Sequence, residues 1–194
     1  ITDFYSNINN STNEKTIDED DYIELRLVGS GISVIFLIYH IKDEKLYALK
    51  KLNSIDGEKL KKREINNYTS KINHPFINKF YGITKENHHI VIEYINGKTL
   101  KNTDISKYSE IDIFSIIIQI LSVFKYLHEN HFIYRDLKPD NIMIDSNKTA
   151  VLIDFDRMLN ESEIKNIKEE NDYTKDFATE YVAPEVNLGI YTNK

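Results

Sequence analysis

The residues with the clearest chemical potential lie in two short stretches in the second half of the chain. The first stretch places Asp136, Lys138 and Asn141 within six positions of one another. The second begins thirteen positions after Asn141, where Asp154 directly follows the apolar run Val151-Leu152-Ile153. A carboxylate can take a proton from a hydroxyl group, and carboxylate and amide oxygens are ligands of Mg²⁺. We therefore take these two stretches as the candidate catalytic residues.

The first stretch reads YRDLKPDN from Tyr134 to Asn141. It resembles the protein-kinase catalytic loop H-R-D-L-x-x-x-N, with Tyr134 in place of the histidine, and its Lys-Pro resembles the Ser/Thr type. The resemblance implies that Asp136 orients a substrate hydroxyl and accepts its proton. It also implies that Lys138 neutralises charge on the transferred phosphate.

The second stretch, Asp-Phe-Asp, resembles the D-F-G of protein kinases, with Asp156 in place of the glycine. A carboxylate at the end of an apolar strand can bind the Mg²⁺ that bridges the phosphates of ATP. The resemblance implies that Asn141 and Asp154 are the metal ligands, with Mn²⁺ as an alternative ion. The implied cofactors are therefore ATP and Mg²⁺.

A third motif, Ala48-Leu49-Lys50, resembles the V-A-I-K strand of protein kinases. The resemblance implies that Lys50 contacts the α- and β-phosphates and pairs with a helix glutamate, for which Glu64 is the candidate. The family's usual spacing from this glutamate to the His-Pro corner is here one residue longer. The alternative is that Lys50 or Lys51 is exposed on a solvated edge.

A glycine-containing stretch precedes this strand and resembles G-x-G-x-x-G-x-V, with Val34 in place of the third glycine and Phe36 in place of the valine. Two glycines let backbone amides approach phosphates. A lone Gly-Ser-Gly between strands is more often a hairpin turn, but the flanking strands and Lys50 favour nucleotide binding. The resemblance implies that Phe36 covers the adenine. The implied nucleotide-binding residues are Val28, Gly29, Ser30, Gly31, Ile32, Ser33, Val34 and Phe36.

The segment around Glu93 resembles the hinge between the lobes of a protein kinase. The resemblance implies that backbone groups of Glu93 and Ile95 bind the adenine edge, and that Ile92 guards the pocket behind it. Ala48 and Met143 would then lie on the two sides of the ring. A plain strand end is the alternative for the hinge residues.

The last motif, Ala183-Pro184-Glu185, resembles the family's A-P-E and ends an expected activation loop that starts at Asp154. Arg135 can pair with a phosphorylated residue in such a loop and order it. Thr174 is the first candidate for that phosphorylation and Tyr173 the second. The expected partners are a protein substrate and an upstream activating kinase.

Composition excludes several other classes of function. The net charge is -6, which disfavours non-specific binding to nucleic acid. The chain has no cysteine, so neither a disulfide framework nor a thiolate zinc site can form. The apolar stretch Ile111–Leu127 contains polar residues and is too short to be expected to cross a membrane. From the function that the resemblance implies, rather than from the composition, we expect an intracellular, cytoplasmic protein; no membrane partner is expected.

Two groups of elements are expected to position these motifs. Strand patterns occur at residues 22–28, 34–41, 46–52, 79–84 and 89–94, and helix patterns at 57–72 and 110–129. The second helix is apolar on nearly every face, which is typical of a helix buried on all sides. The expected class is α+β, a protein-kinase-like two-lobe fold. Its N-lobe has an antiparallel sheet with one main helix, and its C-lobe is mainly helical and incomplete.

The expected division of the chain has three parts: a polar, acidic linker or tail (1–20), the N-lobe (21–97) and a partial C-lobe (98–194). The predicted function is protein Ser/Thr kinase activity with Mg·ATP. A pseudokinase that binds nucleotide or a partner is the alternative, favoured by Val34, Tyr134 and Asp156. A small-molecule kinase is disfavoured by the A-P-E segment. A piece ending here is expected to expose an apolar helix face, to be poorly stable and to be inactive by itself.

Overall fold

The chain forms two compact units in the computed structural model, which describes residues 15–31, 33–52, 55–70, 72–160, 163 and 181, without the side chains of 52 and 55–60. The first unit contains the described residues up to Ile72, together with Asn78–Ile95. The second contains Asn73–Ile77 and the described residues from Asn96 onwards. The domain bounds expected from the sequence stay predictions.

The first unit is built on a sheet with one helix against its strand β4. Its described strands are β1 (Lys15–Ile17), β2 (Tyr22–Ser30), β3 (Ser33–His40), β4 (Lys45–Leu52), β5 (Phe80–Thr84) and β6 (Ile90–Glu93), and its helix is α1 (Ile55–Thr69). The strand order is β1-β5-β6-β4-β3-β2. All neighbouring strands are antiparallel except β1 and β5, which are parallel. The predicted antiparallel sheet with one main helix is confirmed.

One face of this sheet carries an apolar cluster. Its fully buried members are Ile17, Ile38, Leu49 and Val91, and the partly buried residues packed against it are Tyr22, Phe36, Tyr47 and Tyr81. Because side chains alternate between the two faces of a strand, the neighbours of Leu49 on β4 point the other way. The opposite face of β4 therefore carries Ala48 and Lys50.

The described part of the expected N-terminal tail is ordered on the sheet, which corrects the sequence prediction for residues 15–20. Residues Lys15–Ile17 form β1, and Glu19–Asp21 form a short 3₁₀ turn. Ile17 is 1% exposed. The sequence signal is weak because a three-residue strand has a single buried side chain and polar neighbours on both sides.

The second unit places its loops between short strands and one long helix. Its described elements are β7 (Gly97–Thr99), α2 (Glu110–Glu129), β8 (Phe132–Ile133), β9 (Ile142–Asp145), β10 (Ala150–Leu152) and β11 (Leu159–Asn160). The strands pair as a sheet of order β10-β9-β7 and as the pair β11-β8. A 3₁₀ turn, Pro139–Asn141, lies directly before β9.

Helix α2 starts at a capping box, in which Ser109 and Asp112 each bind the backbone N–H of the other. The helix buries one face, formed by Ile116, Ile120, Val123 and Leu127. Other apolar side chains are exposed, among them Ile111 (80%), Phe114 (64%) and Leu121 (60%). The described chain thus does not bury this helix on all sides, and the expectation that a piece ending here exposes an apolar helix face is confirmed for the described residues. Both faces are apolar, so the sequence of the helix does not mark which face is buried.

Among the described helices, α2 alone has the length and composition of a membrane span. The helix has 20 residues, which is long enough to cross a membrane, so the expectation that this stretch is too short is wrong. Length and composition do not distinguish a membrane span from the core helix of a soluble protein.

Candidate functional site

The carboxylate of Asp136 is held in one orientation inside the second unit. Asp136 is 5% exposed. Its Oδ2 atom accepts a hydrogen bond from Lys138 Nζ at 2.6 Å and another from Asn141 Nδ2 at 2.8 Å. The structure thus brings together three residues that the sequence predicts as catalytic. Two donors on one oxygen fix the orientation of this buried carboxylate and leave its other oxygen for a further partner.

The 3₁₀ turn Pro139–Asn141 explains how Asn141 reaches back to Asp136. The Asn141 backbone N–H donates to the carbonyl oxygen of Lys138 at 2.9 Å, which closes the turn. Its side-chain amide also donates to the backbone carbonyl of Asp136 at 2.9 Å. Proline at the first position of the turn fits because that position needs no N–H donor.

Strand β10 ends at Leu152, and Asp154 follows it after one residue, Ile153. The backbone of Asp154 has a φ of 67°. A left-handed φ is uncommon for a residue other than glycine, and such residues are often found at functional sites. The Ile153 N–H donates to the Asn141 carbonyl oxygen at 3.0 Å. The two predicted metal ligands are therefore connected through the backbone of neighbouring residues.

Tyr134 also connects the two motifs. Its side chain is 1% exposed, and its hydroxyl donates a hydrogen bond to the carbonyl oxygen of Ile153. The ring meets that of Phe155 edge to face, with 5.5 Å between centroids. Burial raises the pKa of the Tyr134 hydroxyl well above its ordinary value, and the charge of Asp154 raises it further. The phenol is therefore a constant donor.

The sequence did not predict this role for Tyr134. It showed only that Tyr134 replaces the histidine of the family's catalytic loop. Histidine and tyrosine can both donate a hydrogen bond from the far end of a ring. That shared property is the signal from which the role could have been inferred. Position 134 therefore carries a ring that donates a hydrogen bond to the Ile153 carbonyl oxygen.

Lys50 and Glu64 form a buried ion pair within the first unit. Lys50 Nζ lies 2.6 Å from Glu64 Oε2, and the two side chains are 5% and 1% exposed. Strand β4 presents Lys50 on the face opposite Leu49, and α1 carries Glu64. Lys51, on the other face of β4, is the more accessible of the two lysines, with its side chain 23% exposed, and it pairs with Glu24. The extra residue between Glu64 and the His-Pro corner does not prevent the pair.

The glycine-containing stretch forms a tight connection between β2 and β3. The Gly31 N–H donates to the Ser33 carbonyl oxygen at 3.0 Å, and Ser30 pairs with Val34. Val28 is 36% exposed and lies at an irregularity of the strand pairing between Leu27 and Gly29. This geometry is that of a hairpin. A hairpin of this kind is compatible with nucleotide binding through its backbone N–H groups. Ile32 lies outside the described residues.

Phe36 does not cover the predicted adenine position, which corrects the sequence analysis. It pairs with Leu49 and packs on the apolar cluster, on the face of the sheet opposite Ala48 and Lys50. Its ring also lies 4.6 Å from the Lys51 ammonium. Leu37 pairs with Ala48 and is 6% exposed, so Leu37 shares the face of Ala48. The antiparallel register decides this, and the motif alone does not reveal it.

The predicted hinge residues lie at the end of β6 in the first unit. The Glu93 N–H donates to Lys79 O at 2.8 Å, and the Glu93 carbonyl oxygen accepts from Asn78 Nδ2 at 3.1 Å. A carbonyl oxygen has two lone pairs and can accept a second hydrogen bond. Ile95 is half-buried beyond the strand. Binding of an adenine edge to Glu93 and Ile95 stays a prediction.

The remaining predicted site residues lie in ordinary elements or outside the described chain. Ala48 is 7% exposed on β4, and Met143 is half-buried on β9, where it pairs with Val151. Tyr173, Thr174 and the A-P-E segment lie outside the described residues, as do residues 1–14.

The donor set fits a hard divalent cation. Asn141 uses its amide nitrogen for both bonds to Asp136, so its amide oxygen is the atom suited to a metal. Asp154 adds a carboxylate, and oxygen ligands are those that Mg²⁺ prefers. In the described part of the chain, no group of three or more His, Cys, Asp and Glu residues could hold a metal. A two-ligand site completed by phosphate oxygens and water suits Mg²⁺.

Comparison with known proteins identifies the family. The family model "Protein kinase domain" matches residues 22–192. A probable serine/threonine-protein kinase of Dictyostelium discoideum is 32% identical over 185 residues, which covers 88% of this chain and 39% of that protein. The probable serine/threonine-protein kinase samkA of the same organism is 38% identical over 148 residues, covering 72% and 23%. The serine/threonine-protein kinase Sgk1 of Danio rerio is 33% identical over 185 residues, covering 88% and 41%.

The chain therefore belongs to the protein kinase domain family, and its named relatives are serine/threonine-protein kinases. It spans about two fifths or less of the length of these relatives. The match begins at Tyr22, the first residue of β2. The resemblance inferred from the catalytic loop is confirmed at the level of the family.

Proposed function

We propose that the protein to which this chain belongs transfers the γ-phosphate of Mg·ATP to serine or threonine hydroxyls of protein substrates. The observation that carries the proposal is the buried Asp136 carboxylate, held by Lys138 and Asn141 through one oxygen. The other oxygen is then the natural acceptor for a substrate hydroxyl. Positioned general bases accelerate reactions by about 10²–10⁴-fold.

In the proposed reaction Asp136 takes the proton of the substrate hydroxyl as its oxygen attacks the γ-phosphorus. The bond between that phosphorus and the β–γ bridging oxygen breaks, and ADP leaves. Lys138 reduces the negative charge that repels the attacking oxygen. Lys50, held by Glu64, binds the α- and β-phosphates.

Asn141 and Asp154 would hold Mg²⁺, with Mn²⁺ as the alternative ion. The metal supplies positive charge at the β- and γ-phosphate oxygens. Tyr134 supports this part of the site through Ile153. The adenine would lie against the face of the first sheet that carries Ala48 and Leu37, and Glu93 and Ile95 would bind its edge.

Phosphate transfer to a library of serine- and threonine-containing peptides tests the proposal. Labelled Mg·ATP is the donor, and the wild-type protein is compared with Asp136→Asn and with the surface control Asp104→Asn. We expect the first variant to lose about 10²-fold or more of the rate, because the base is removed. The control should retain its rate, since Asp104 is exposed and its contacts are with Ser106 and Lys107 of the short turn that it caps.

The same preparations are melted with and without Mg·ATP. A ligand at a hundredfold excess over its Kd stabilises the folded state by about 2.7 kcal/mol. Nucleotide binding without phosphate transfer would establish the pseudokinase alternative. Transfer that survives in Asp136→Asn would show that Asp136 is not the base.

We further propose an intracellular, cytoplasmic location, and regulation by an upstream kinase that phosphorylates Thr174 or Tyr173. Arg135, directly before Asp136, would bind the phosphate. Mass spectrometry of an active preparation tests this part, and an unmodified activation loop would contradict it.

A further inference from the structure

Residues 15–21, which we call the N-terminal strap, precede the kinase domain match but are folded into the first unit. The match begins at Tyr22. The strap consists of strand β1, Asp18 and the 3₁₀ turn Glu19–Asp21. The strap therefore lies outside the matched residues, and its contacts show where it binds.

The backbone of the strap binds the outer edge of β5 in parallel. Lys15 pairs with Gly82, and Ile17 pairs with Thr84. A Cβ atom on Gly82 would lie 1.9 Å from the carbonyl oxygen of Lys15. Only glycine at position 82 allows this close approach of the two backbones. The edge of β5 is thus shaped to receive a strand.

The side chain of Ile17 fills a position in the core of the sheet. It is 1% exposed and belongs to the buried cluster with Ile38, Leu49 and Val91. Leu49 directly precedes Lys50 on β4 and pairs with Val91 on β6. Loss of Ile17 would leave a cavity against the strand that carries Lys50.

Polar contacts fix both ends of the strap. Lys15 Nζ lies 2.9 Å from Asp43 Oδ2. The Lys85 N–H donates to the Ile17 carbonyl oxygen at 2.9 Å. Glu19 Oε1 accepts from the N–H groups of Glu86 and Asn87 at 3.0 and 3.2 Å. The turn after β5 therefore has three backbone donors whose partners are all in the strap.

The strap also connects the two edges of the sheet. β1 lies beside β5 at one edge, and β2 forms the other edge. Five strand spacings of a flat sheet amount to about 24 Å. The five residue steps from Ile17 to Tyr22 span at most ~18 Å. The sheet must therefore be curled, and the strap closes the gap between its edges.

We propose that the outer edge of β5 is a strand-docking site whose ligand is the N-terminal strap, and that docking stabilises the strands that carry Lys50. The site takes an extended segment with a cation at position 15, a branched apolar side chain at 17 and a carboxylate at 19. Those chemical features are set by Asp43, the Leu49 cluster and the N–H groups after β5. A strand with a single large buried residue and charged ends is a ligand that can dissociate without unfolding the sheet.

Site-resolved amide hydrogen exchange on the protein to which this chain belongs tests the proposal with two disruptive variants and one matched control. Gly82→Ala blocks the edge and leaves the strap unchanged, whereas Ile17→Asp changes the strap and leaves the edge unchanged. Ile23→Asp makes the same chemical change at a residue of β2 that is 52% exposed. The reporters of docking are the amides of Lys85, Glu86 and Asn87.

In both disruptive variants we expect exchange at the three reporters to accelerate by about tenfold or more, because their acceptors leave. The Thr84 amide donates to His89 within the β5–β6 hairpin and should remain protected. The amides of Leu49 and Lys50 should lose protection and Tm should fall, and Ile23→Asp should show none of these changes. Unchanged reporters, or faster reporters with unchanged Leu49, Lys50 and Tm, would overturn the proposal.

Glu19→Ala provides a milder test if a disruptive variant does not fold. It removes one anchor and no core contact. Faster exchange at Lys85, which Glu19 does not bind in the structure, supports cooperative docking. Changes confined to Glu86 and Asn87 would contradict it. None of these measurements uses ATP, so their outcome is independent of the proposed phosphate transfer.

Discussion

The hydroxyl of Tyr134 donates a hydrogen bond to the carbonyl oxygen of Ile153, the residue before Asp154. One aromatic side chain thereby ties the catalytic loop to the strand end that carries the predicted metal ligand. The bond lies in a buried environment, where a hydrogen bond is stronger and its loss more costly.

Tyr134→Phe should remove this bond while keeping the ring contact with Phe155. We expect the free energy of unfolding to fall by about 1 kcal/mol, the usual net value of such a bond. We also expect a higher Mg²⁺ concentration for half-maximal phosphate transfer, because the backbone before Asp154 loses its anchor. Urea unfolding and a Mg²⁺ titration measure the two effects.

The half-buried Tyr39 of β3 offers the matched control, Tyr39→Phe. A Mg²⁺ requirement that is equal in both variants would show that Tyr134 contributes packing alone. If Tyr134→His has the same Mg²⁺ requirement as the wild type, a hydrogen-bond donor on the ring at position 134 is what the site needs.

Lys50→Met should destabilise the first unit, because it removes the ammonium group that lies 2.6 Å from the buried Glu64 carboxylate. Breaking a buried pair by removing one partner costs about 3–5 kcal/mol. In the double variant Lys50→Met/Glu64→Gln the loss should be smaller than the sum of the single losses. Chemical denaturation of the four proteins of this cycle measures the coupling.

The neighbouring residue provides the control for this cycle. Lys51 pairs with Glu24 at the surface, where an ion pair is worth about 0–1 kcal/mol. Lys51→Met should therefore change the unfolding free energy little. Equal losses for Lys50→Met and Lys51→Met would contradict a buried, energetically coupled pair.

His89 should make the protein less stable in mild acid. Burial, together with the charges of Lys51 and Lys61, lowers the pKa of His89 to about 4. The unfolded chain takes up this proton near pH 6.5. Between these values the unfolded state binds more protons, so the unfolding free energy falls as the pH drops from about 6.5 to about 4.

His89→Gln should flatten the pH dependence of stability in that window, as measured by Tm at a series of pH values. His128→Gln, an exposed change on α2, is the control and should leave the slope unchanged. Parallel pH curves for wild type and His89→Gln would refute the prediction.

Ser109→Ala should weaken the start of α2 by about 1 kcal/mol, because it removes one half of the capping box. Thermal unfolding measures the loss. Ser115→Ala, at an exposed position inside the helix, is the control. An equal effect of both changes would argue against a capping role for Ser109.

The other half of the capping box is the carboxylate of Asp112. Hydrogen bonds from Lys148 and from Ser109 lower the pKa of Asp112 to about 2. The carboxylate therefore keeps its role in the cap until the pH approaches that value.

Much of the site could be predicted from the sequence because its chemistry is local. Asp136, Lys138 and Asn141 lie within one loop, and a single 3₁₀ turn brings them together. The strands and the long helix could be predicted because alternation and apolar content depend on neighbouring residues. The bounds of α2 agree with the prediction residue for residue.

Interactions between distant residues could not be predicted in the same way. The side of the sheet occupied by Phe36 depends on the register of β3 with β4, and a shift of one residue would reverse it. The pairing of β1 with β5 joins residues 67 positions apart, Lys15 and Gly82. No local pattern marks either partner.

The sequence by itself determined the family, the order of the motifs and the types of the catalytic side chains, because these depend on residue identity and short spacing. The sequence also indicated Glu64 as the candidate partner of Lys50, and the structure shows that the pair is buried. Tertiary structure alone decided that Tyr134 supports Ile153 and that residues 15–21 close the sheet. Those contacts depend on burial and on backbone geometry between segments far apart in the chain. Such geometry is set by the packing of the whole unit.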